Sequence, residues 1–214
     1  MDNELVFLSS PSMLTDQPHP MLVLLHGFGS DEKDLMALRP YIDPVWAIVS
    51  IRAPFRQGAG FRWYALEPGG AWDLNEFHQS MEALTQWLEK LPSRFPQVSS
   101  DATVIGGFSQ GAALALALGL FDFQVPVAGI LALSGYLPHL PAQEPTWRNL
   151  PVFWGHGEND PVLAYTLAQK GHHELLERGI GVSFHSYSAG HEVVEEELVH
   201  AGAWLKQFKS IQRS

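Results

Sequence analysis

Ser109 stands at the centre of Gly107-Phe108-Ser109-Gln110-Gly111, a G-x-S-x-G pentapeptide with an apolar run before it and an alanine/leucine run after it. Where such a pentapeptide joins a strand to a helix, the turn is sharp and strained. It lifts the serine hydroxyl above the sheet edge and aims the following N–H groups at the same point. The chemistry this permits is attack of a hydroxyl on an acyl carbonyl. An unassisted hydroxyl is a weak nucleophile at neutral pH, so a base must follow, and a group that orients the base.

The expected chain order is Ser, then Asp or Glu, then His. Behind the apolar run PVFWG comes His156-Gly157-Glu158-Asn159-Asp160-Pro161, which puts Asp160 at a strand-to-helix junction. Glu158, two residues earlier, is the rival acid. After GVSFHSY comes Ser188-Ala189-Gly190-His191-Glu192. Of the chain's ten histidines, His191 holds the place where order and topology demand a base. The remaining need is a pair of donors for the oxyanion. Met21–Leu25 runs into His26-Gly27-Phe28-Gly29-Ser30, whose glycines let an amide turn inward, so Phe28 N–H and Gln110 N–H are the expected pair.

Other residues read more plainly. His26 and His156 are expected to brace loops by hydrogen bonds. His172-His173-Glu174 could suggest a metal site, but adjacent residues on a helix face different ways, and a solvated helix face is the expectation. No phosphate-cradling G-x-x-x-x-G-K-[ST] and no G-x-G-x-x-G is present. The chemistry calls for no cofactor and no metal.

These loops need strands behind them. Short apolar runs fall at Leu5–Leu8, Met21–Leu25, Val45–Ile51, Ala102–Gly106, Val127–Leu133, Val152–Trp154 and Gly181–Tyr187. Several are solidly apolar, as strands covered on both faces are. Phe77, Met81, Leu84, Leu88 and Leu91 form a helical stripe that Pro92 ends, with Asp73 or Asn75 as cap. Val194, Leu198, Ala201, Leu205 and Phe208 form another, with Glu195–Glu197 early and Lys206 and Lys209 late, which suits the helix dipole. Pro161 fits a helix first turn and Gly179 the end of the same helix. The alternation predicts a three-layer α/β fold, with a mostly parallel sheet and helices on both faces, as one domain over residues 1–214.

Two stretches lack periodicity, Ala53–Asp73 and Gly135–Asn149, and long irregular loops often line sites. They carry Phe55, Phe61, Trp63, Tyr64, Trp72, Tyr136 and Leu137. Trp63, Tyr64, Trp72, Tyr136 and Leu137 are the expected pocket wall, of modest size, for small to medium acyl groups.

Composition narrows the class. The chain of 214 residues is 46% apolar and 17% charged, with 13 basic and 23 acidic residues, a formal −10. That sign argues against a nucleic-acid partner, which needs a basic face, and against docking on anionic lipid. With no cysteine there is no disulfide, no thiolate metal site and no cysteine nucleophile. The longest apolar stretch, Ala112 to Phe121, is about half a bilayer span, so no stable membrane anchor is expected. MDNELVFLSS is acidic where an export signal is basic, so the cytoplasm is the expected compartment. Exposed loop aromatics leave pairing with a second copy as a homodimer open.

The segments LLHGFGS (24–30), GGFSQGAA (106–113), WGHGENDPV (154–162) and AGHEV (189–193) together resemble a known family. It is that of the small α/β-hydrolase serine esterases, with acyl-protein thioesterases, lysophospholipases and bacterial carboxylesterases. The resemblance implies the α/β-hydrolase fold, and neither long loop is large enough to hold a separate cap domain. It implies Ser109 as nucleophile, Asp160 as acid, His191 as base, and the Phe28 and Gln110 amides as oxyanion hole. The expected substrate is a small-molecule ester or thioester. Ser30 stands where the family often has aspartate, and Ala112 where it has a second glycine. A serine peptidase, a lactone hydrolase, or a non-catalytic binding module on the same fold are the alternatives.

Overall fold

The computed structural model describes residues 4–14, 16–66, 71–121, 123, 125–139 and 146–210. The expected long loops thus lie partly outside the described residues, at 67–70 and 140–145. The frame is a seven-stranded sheet built from β1 (Phe7–Ser10), β2 (His19–Leu25), β3 (Ala47–Ile51), β6 (Val98–Phe108), β7 (Gly129–Leu133), β8 (Val152–Gly157) and β9 (Val182–Tyr187). The spatial order is β1-β3-β2-β6-β7-β8-β9, and every pairing is parallel except β1 with β3. The strands β2, β3, β7 and β8 are buried along their whole length, which is why they read as continuous apolar runs instead of alternating ones.

Helices cover both faces. On one side lie α1 (Leu74–Glu89), α2 (Leu91–Arg94), α3 (Gln110–Leu120) and α4 (Tyr165–Glu177), whose apolar residues join Met21, Val23, Ile105 and Trp154 in one core. On the other, α5 (Glu195–Leu205) and the 3₁₀ segments Asp34–Tyr41 and Lys206–Ser210 pack on Leu22, Ile48, Leu131 and Phe153. Every residue of α3 is buried, so its alanine and leucine content leaves no polar stripe. Among the described residues no separate cap domain is evident, and no helix is long and apolar enough to cross a membrane.

Asp73 caps α1 by accepting the N–H groups of Asn75 and Glu76 at 2.8 and 3.1 Å. Gly179, at φ +74°, closes α4 with a Schellman arrangement in which Gly179 N–H donates to Leu176 and Ile180 N–H to Leu175. Other expectations need correction. The first strand runs over Phe7–Ser10, not Leu5–Leu8. Leu5 is buried in the core without joining the ladder, which pairs Phe7 with Ile51. Pro161 does not open α4, which starts four residues later at Tyr165. The Asp160 carboxylate takes the Val162 and Leu163 N–H groups instead, making a turn ahead of the helix. The stretch after Ala53 is not structureless, since it folds into a hairpin of β4 (Phe55–Gln57) and β5 (Gly60–Arg62). His172 does not lie on a solvated face; its ring stacks flat on Phe184 at 4.4 Å.

Candidate active site

The strand β6 delivers Ser109 to the carboxyl edge of the sheet, directly before α3. Its backbone sits at φ 54°, ψ −115°, a region that L residues avoid and that persists only when the surroundings hold it. Glycine at position 111 lets the two sides of the turn close up. A Cβ there would overlap the carbonyl oxygens of Leu25 and His26, so α3 rests directly on the end of β2. The same contact brings the loop of residues 26–30 against the serine.

From Ser109 a continuous hydrogen-bonded chain runs inward. His191 Nε2 lies 2.9 Å from Ser109 Oγ, and His191 Nδ1 lies 2.6 Å from Asp160 Oδ2. With the imidazole proton on Nδ1, the ring donates to Asp160 and can accept from the serine. Ser109 and Asp160 are both buried, and the Asp160 side chain is fully so, while the His191 side chain keeps 15% exposure. Burial pushes the Asp160 carboxyl up, but the bonds from His191, Leu163 N–H and Val162 N–H outweigh it, and the group sits below the usual carboxylate range. Glu158 is exposed and forms no part of the chain. Phe108 covers one side of the His191 ring, with centroids 4.8 Å apart.

His26 and His156 brace loops as expected. His26 is buried, donates from Nδ1 to the Gly27 carbonyl at 2.7 Å and accepts Ala53 N–H at Nε2, 3.0 Å away. His156 Nε2 donates to the Leu163 carbonyl at 2.9 Å and also lies 3.4 Å from Asp160 Oδ2. Burial holds both rings below the ordinary histidine range.

The residues expected to wall a pocket divide into two groups. Trp63 and Tyr64 are fully buried and serve as framework. Trp63 N–H donates to Gln110 Oε1 at 2.8 Å, its indole N–H to the His26 carbonyl at 2.9 Å, and its carbonyl accepts Ser80 Oγ–H. Gln110 Nε2 donates to the Tyr64 carbonyl at 2.7 Å. Tyr64 Oη reaches Tyr136 Oη at 2.6 Å, and burial raises both phenols above their ordinary range. Trp72 and Tyr136 are half-buried beside this pair, with ring centroids 6.4 Å apart, and Leu137 is buried. Phe28, by contrast, is 41% exposed. The hairpin supports the Phe28 turn from outside, since Gly29 N–H donates to the Phe61 carbonyl at 2.7 Å and Phe61 N–H to that of Ser30 at 2.8 Å. The Phe61 ring lies between the guanidinium groups of Arg52 and Arg56, at 4.6 and 4.7 Å.

The Gln110 side chain and Ser80 had no separate signal in the sequence, because each bonds a segment 17 or more residues away; His156 and Asp160 are four residues apart, but their contact depends on how the chain turns after β8. The glutamine itself was visible within GFSQG, but only for its backbone amide.

A family model described as phospholipase/carboxylesterase matches residues 12–209. An acyl-protein thioesterase 1 of Candida albicans is 30% identical over 214 aligned residues, covering 86% of this chain and 90% of the relative. Among solved structures, esterase PE8 superposes with a TM-score of 0.84 at 27% identity, over 96% of this chain and 99% of that one. The Bacillus cereus carboxylesterase does so with a TM-score of 0.85 over 97% and 96%, and its 22% identity speaks for the fold alone.

Proposed function

The chain belongs to the phospholipase/carboxylesterase family of α/β-hydrolases, and from that premise we propose that Ser109, His191 and Asp160 hydrolyse carboxylic ester or thioester bonds. The observation that carries this reading is the unbroken chain from Ser109 Oγ through His191 to Asp160 on a strained turn. His191 Nε2 takes the serine proton as Oγ attacks the acyl carbonyl. Asp160 holds the ring in the tautomer that allows this and stabilises the imidazolium that forms. The backbone N–H groups of Phe28 and Gln110 meet the oxyanion. Gln110 opens α3, and the first N–H groups of a helix have no acceptor within it. His191 then gives its proton to the departing alkoxide or thiolate. Water, activated in turn by His191, releases the acid and restores Ser109.

We assign Trp72, Tyr136, Leu137 and Phe28 to the acyl group; in support, Trp72 and Tyr136 are half-buried with their rings 6.4 Å apart, and Phe28 is exposed on the loop that follows β2. The relatives' names cover oxygen esters and thioesters. A kinetic panel of both, from short to long acyl chains with a lysophospholipid and an amide included, decides among esterase, thioesterase and peptidase readings. A complete hydrogen-bonded chain disfavours a non-catalytic module.

A fluorophosphonate is expected to add once to the intact chain, at Ser109, and not at all to Ser109→Ala. Turnover in Ser109→Ala should drop at least about a thousandfold. Chelator-sensitive hydrolysis that survives in Ser109→Ala overturns the proposal.

A further inference from the structure

Glu197 lies outside the hydrogen-bonded chain of the site, in the first turn of α5, and only 1% of its surface is exposed. A carboxyl so placed is normally paired with a cation or fully hydrogen-bonded. Here it packs on backbone. One oxygen accepts the N–H of Val194, the residue that precedes α5. Oε1 has no hydrogen-bond partner among the described residues. The slot it fills exists because residue 155 is glycine, since a Cβ there would overlap the Glu197 carboxyl. Gly155 belongs to β8, which ends three residues before Asp160, and Val194 ends the loop that carries His191. One carboxyl therefore touches the supports of both members of the His191–Asp160 hydrogen bond.

We propose that Glu197 is a positioning residue for His191, because its carboxyl joins β8 at Gly155 to the end of the His191 loop at Val194. The inference rests on the reading of Ser109, His191 and Asp160 given above.

The protonation state of this tie follows from its surroundings. Burial raises the Glu197 carboxyl to about 8, against a smaller opposing effect of the Val194 N–H. From β9 the facing group is Tyr187, whose hydroxyl lies 3.1 Å from His200 Nδ1 of α5, with His185 stacked on His200. Burial and the charges of Glu197 and Glu196 push the Tyr187 hydroxyl upward, so it stays uncharged where Glu197 titrates. On β8 the His156 side chain points to the opposite face, toward Leu163 and Asp160. In the 3₁₀ segment Asp34–Tyr41, Arg39 donates to the carbonyls of Ile42, Asp43 and Trp46. At neutral pH the carboxyl is thus uncharged. Ionised, it becomes a buried anion with an unpartnered oxygen and is driven from its slot, and the His191 loop loses its tie.

The test compares wild type with Glu197→Gln in kcat and KM for p-nitrophenyl butyrate from about pH 6 to about pH 10. Wild-type kcat is expected to fall roughly tenfold on the alkaline side, with a midpoint near the Glu197 value of about 8 and KM little changed. Glutamine keeps the shape and the Val194 bond but cannot ionise, so this alkaline limb should vanish. A wild type without the limb, or a limb unchanged in Glu197→Gln, overturns the inference. Glu197→Ala should lower kcat roughly tenfold below the midpoint and match the wild type above it, and wild-type kcat in a folded Glu197→Ala below the midpoint also overturns the inference. If Glu197→Ala does not fold, the glutamine profile decides. Fluorophosphonate labelling of wild type separates the two readings. No adduct at Ser109 overturns the nucleophile, whereas a labelled enzyme with the wrong profile overturns only the role of Glu197.

Discussion

Asp160 divides its carboxylate between two tasks. Oδ1 accepts the N–H groups of Val162 and Leu163, each at 2.8 Å, and so fixes the turn, while Oδ2 faces His191. Asp160→Asn keeps the first task and spoils the second, because an amide nitrogen facing Nδ1 favours the wrong imidazole tautomer. By the precedent of serine proteases, kcat should fall roughly 10⁴-fold with the fold intact; steady-state kinetics beside a circular dichroism spectrum check this. The lowered carboxyl of Asp160 also has a sign for stability. Its contribution is complete above the ordinary carboxylate range and is lost as acid protonates the folded-state group. Asp160 was legible in the sequence as the residue at the strand end, yet Glu158 remained a rival. Burial favours Asp160 as the proposed acid, since it is turned inward while Glu158 is exposed.

At the level of elements, the proposed donor pair for the oxyanion depends on how three loops meet. The Gln110 amide side chain clamps the segment after β5 through Trp63 N–H and the Tyr64 carbonyl, and the Trp63 indole then holds the end of β2 through the His26 carbonyl. Trp63→Phe keeps most of the buried ring but leaves that carbonyl unpaired, which costs about 1–3 kcal/mol. If the indole holds the Phe28 turn in place, kcat should drop on the order of tenfold or more while KM stays within about twofold. Denaturant unfolding and kinetics on the same sample separate the two effects. Little of this arrangement could be read in advance. FRQGAGFR forms strands of only three residues, too short for an alternating pattern to show, and without the hairpin the Trp63 segment looked like an open loop. The long strands and the stripes of α1 and α5 were legible because burial on one or both faces repeats with a fixed period.

For the molecule as a whole, Glu197 sets a stability trend that runs against the usual one for a carboxyl. Unfolded, the group ionises near 4.5, and in the fold only near 8. The folded state therefore holds the proton more tightly, and this stabilisation is complete below about 4.5 and lost as pH rises through about 8. The span corresponds to a loss on the order of 5 kcal/mol. The melting temperature of the wild type should fall between about pH 5 and about pH 8.5, and Glu197→Gln should flatten that slope. A formal charge of −10 adds self-repulsion in the same direction, but the glutamine variant keeps every other charge, so the difference between the two curves isolates Glu197.

The order of Ser109, Asp160 and His191, each on a loop after an apolar strand, was determined by the sequence alone, because G-x-S-x-G, N-cap-like aspartate and strand-end histidine are local patterns with local causes. What only the tertiary structure decided is how residues far apart desolvate and bond one another. Ser109 and His191 are 82 residues apart in the chain and 2.9 Å apart in the fold. Glu197 shows the same limit from the other side. In the sequence it is one of three glutamates at a helix start, suited to the helix dipole, and its neighbours Glu195 and Glu196 are exposed. Helical geometry turns the third inward, and the missing side chain of Gly155, 42 positions earlier in the numbering, leaves the space that makes it a buried acid.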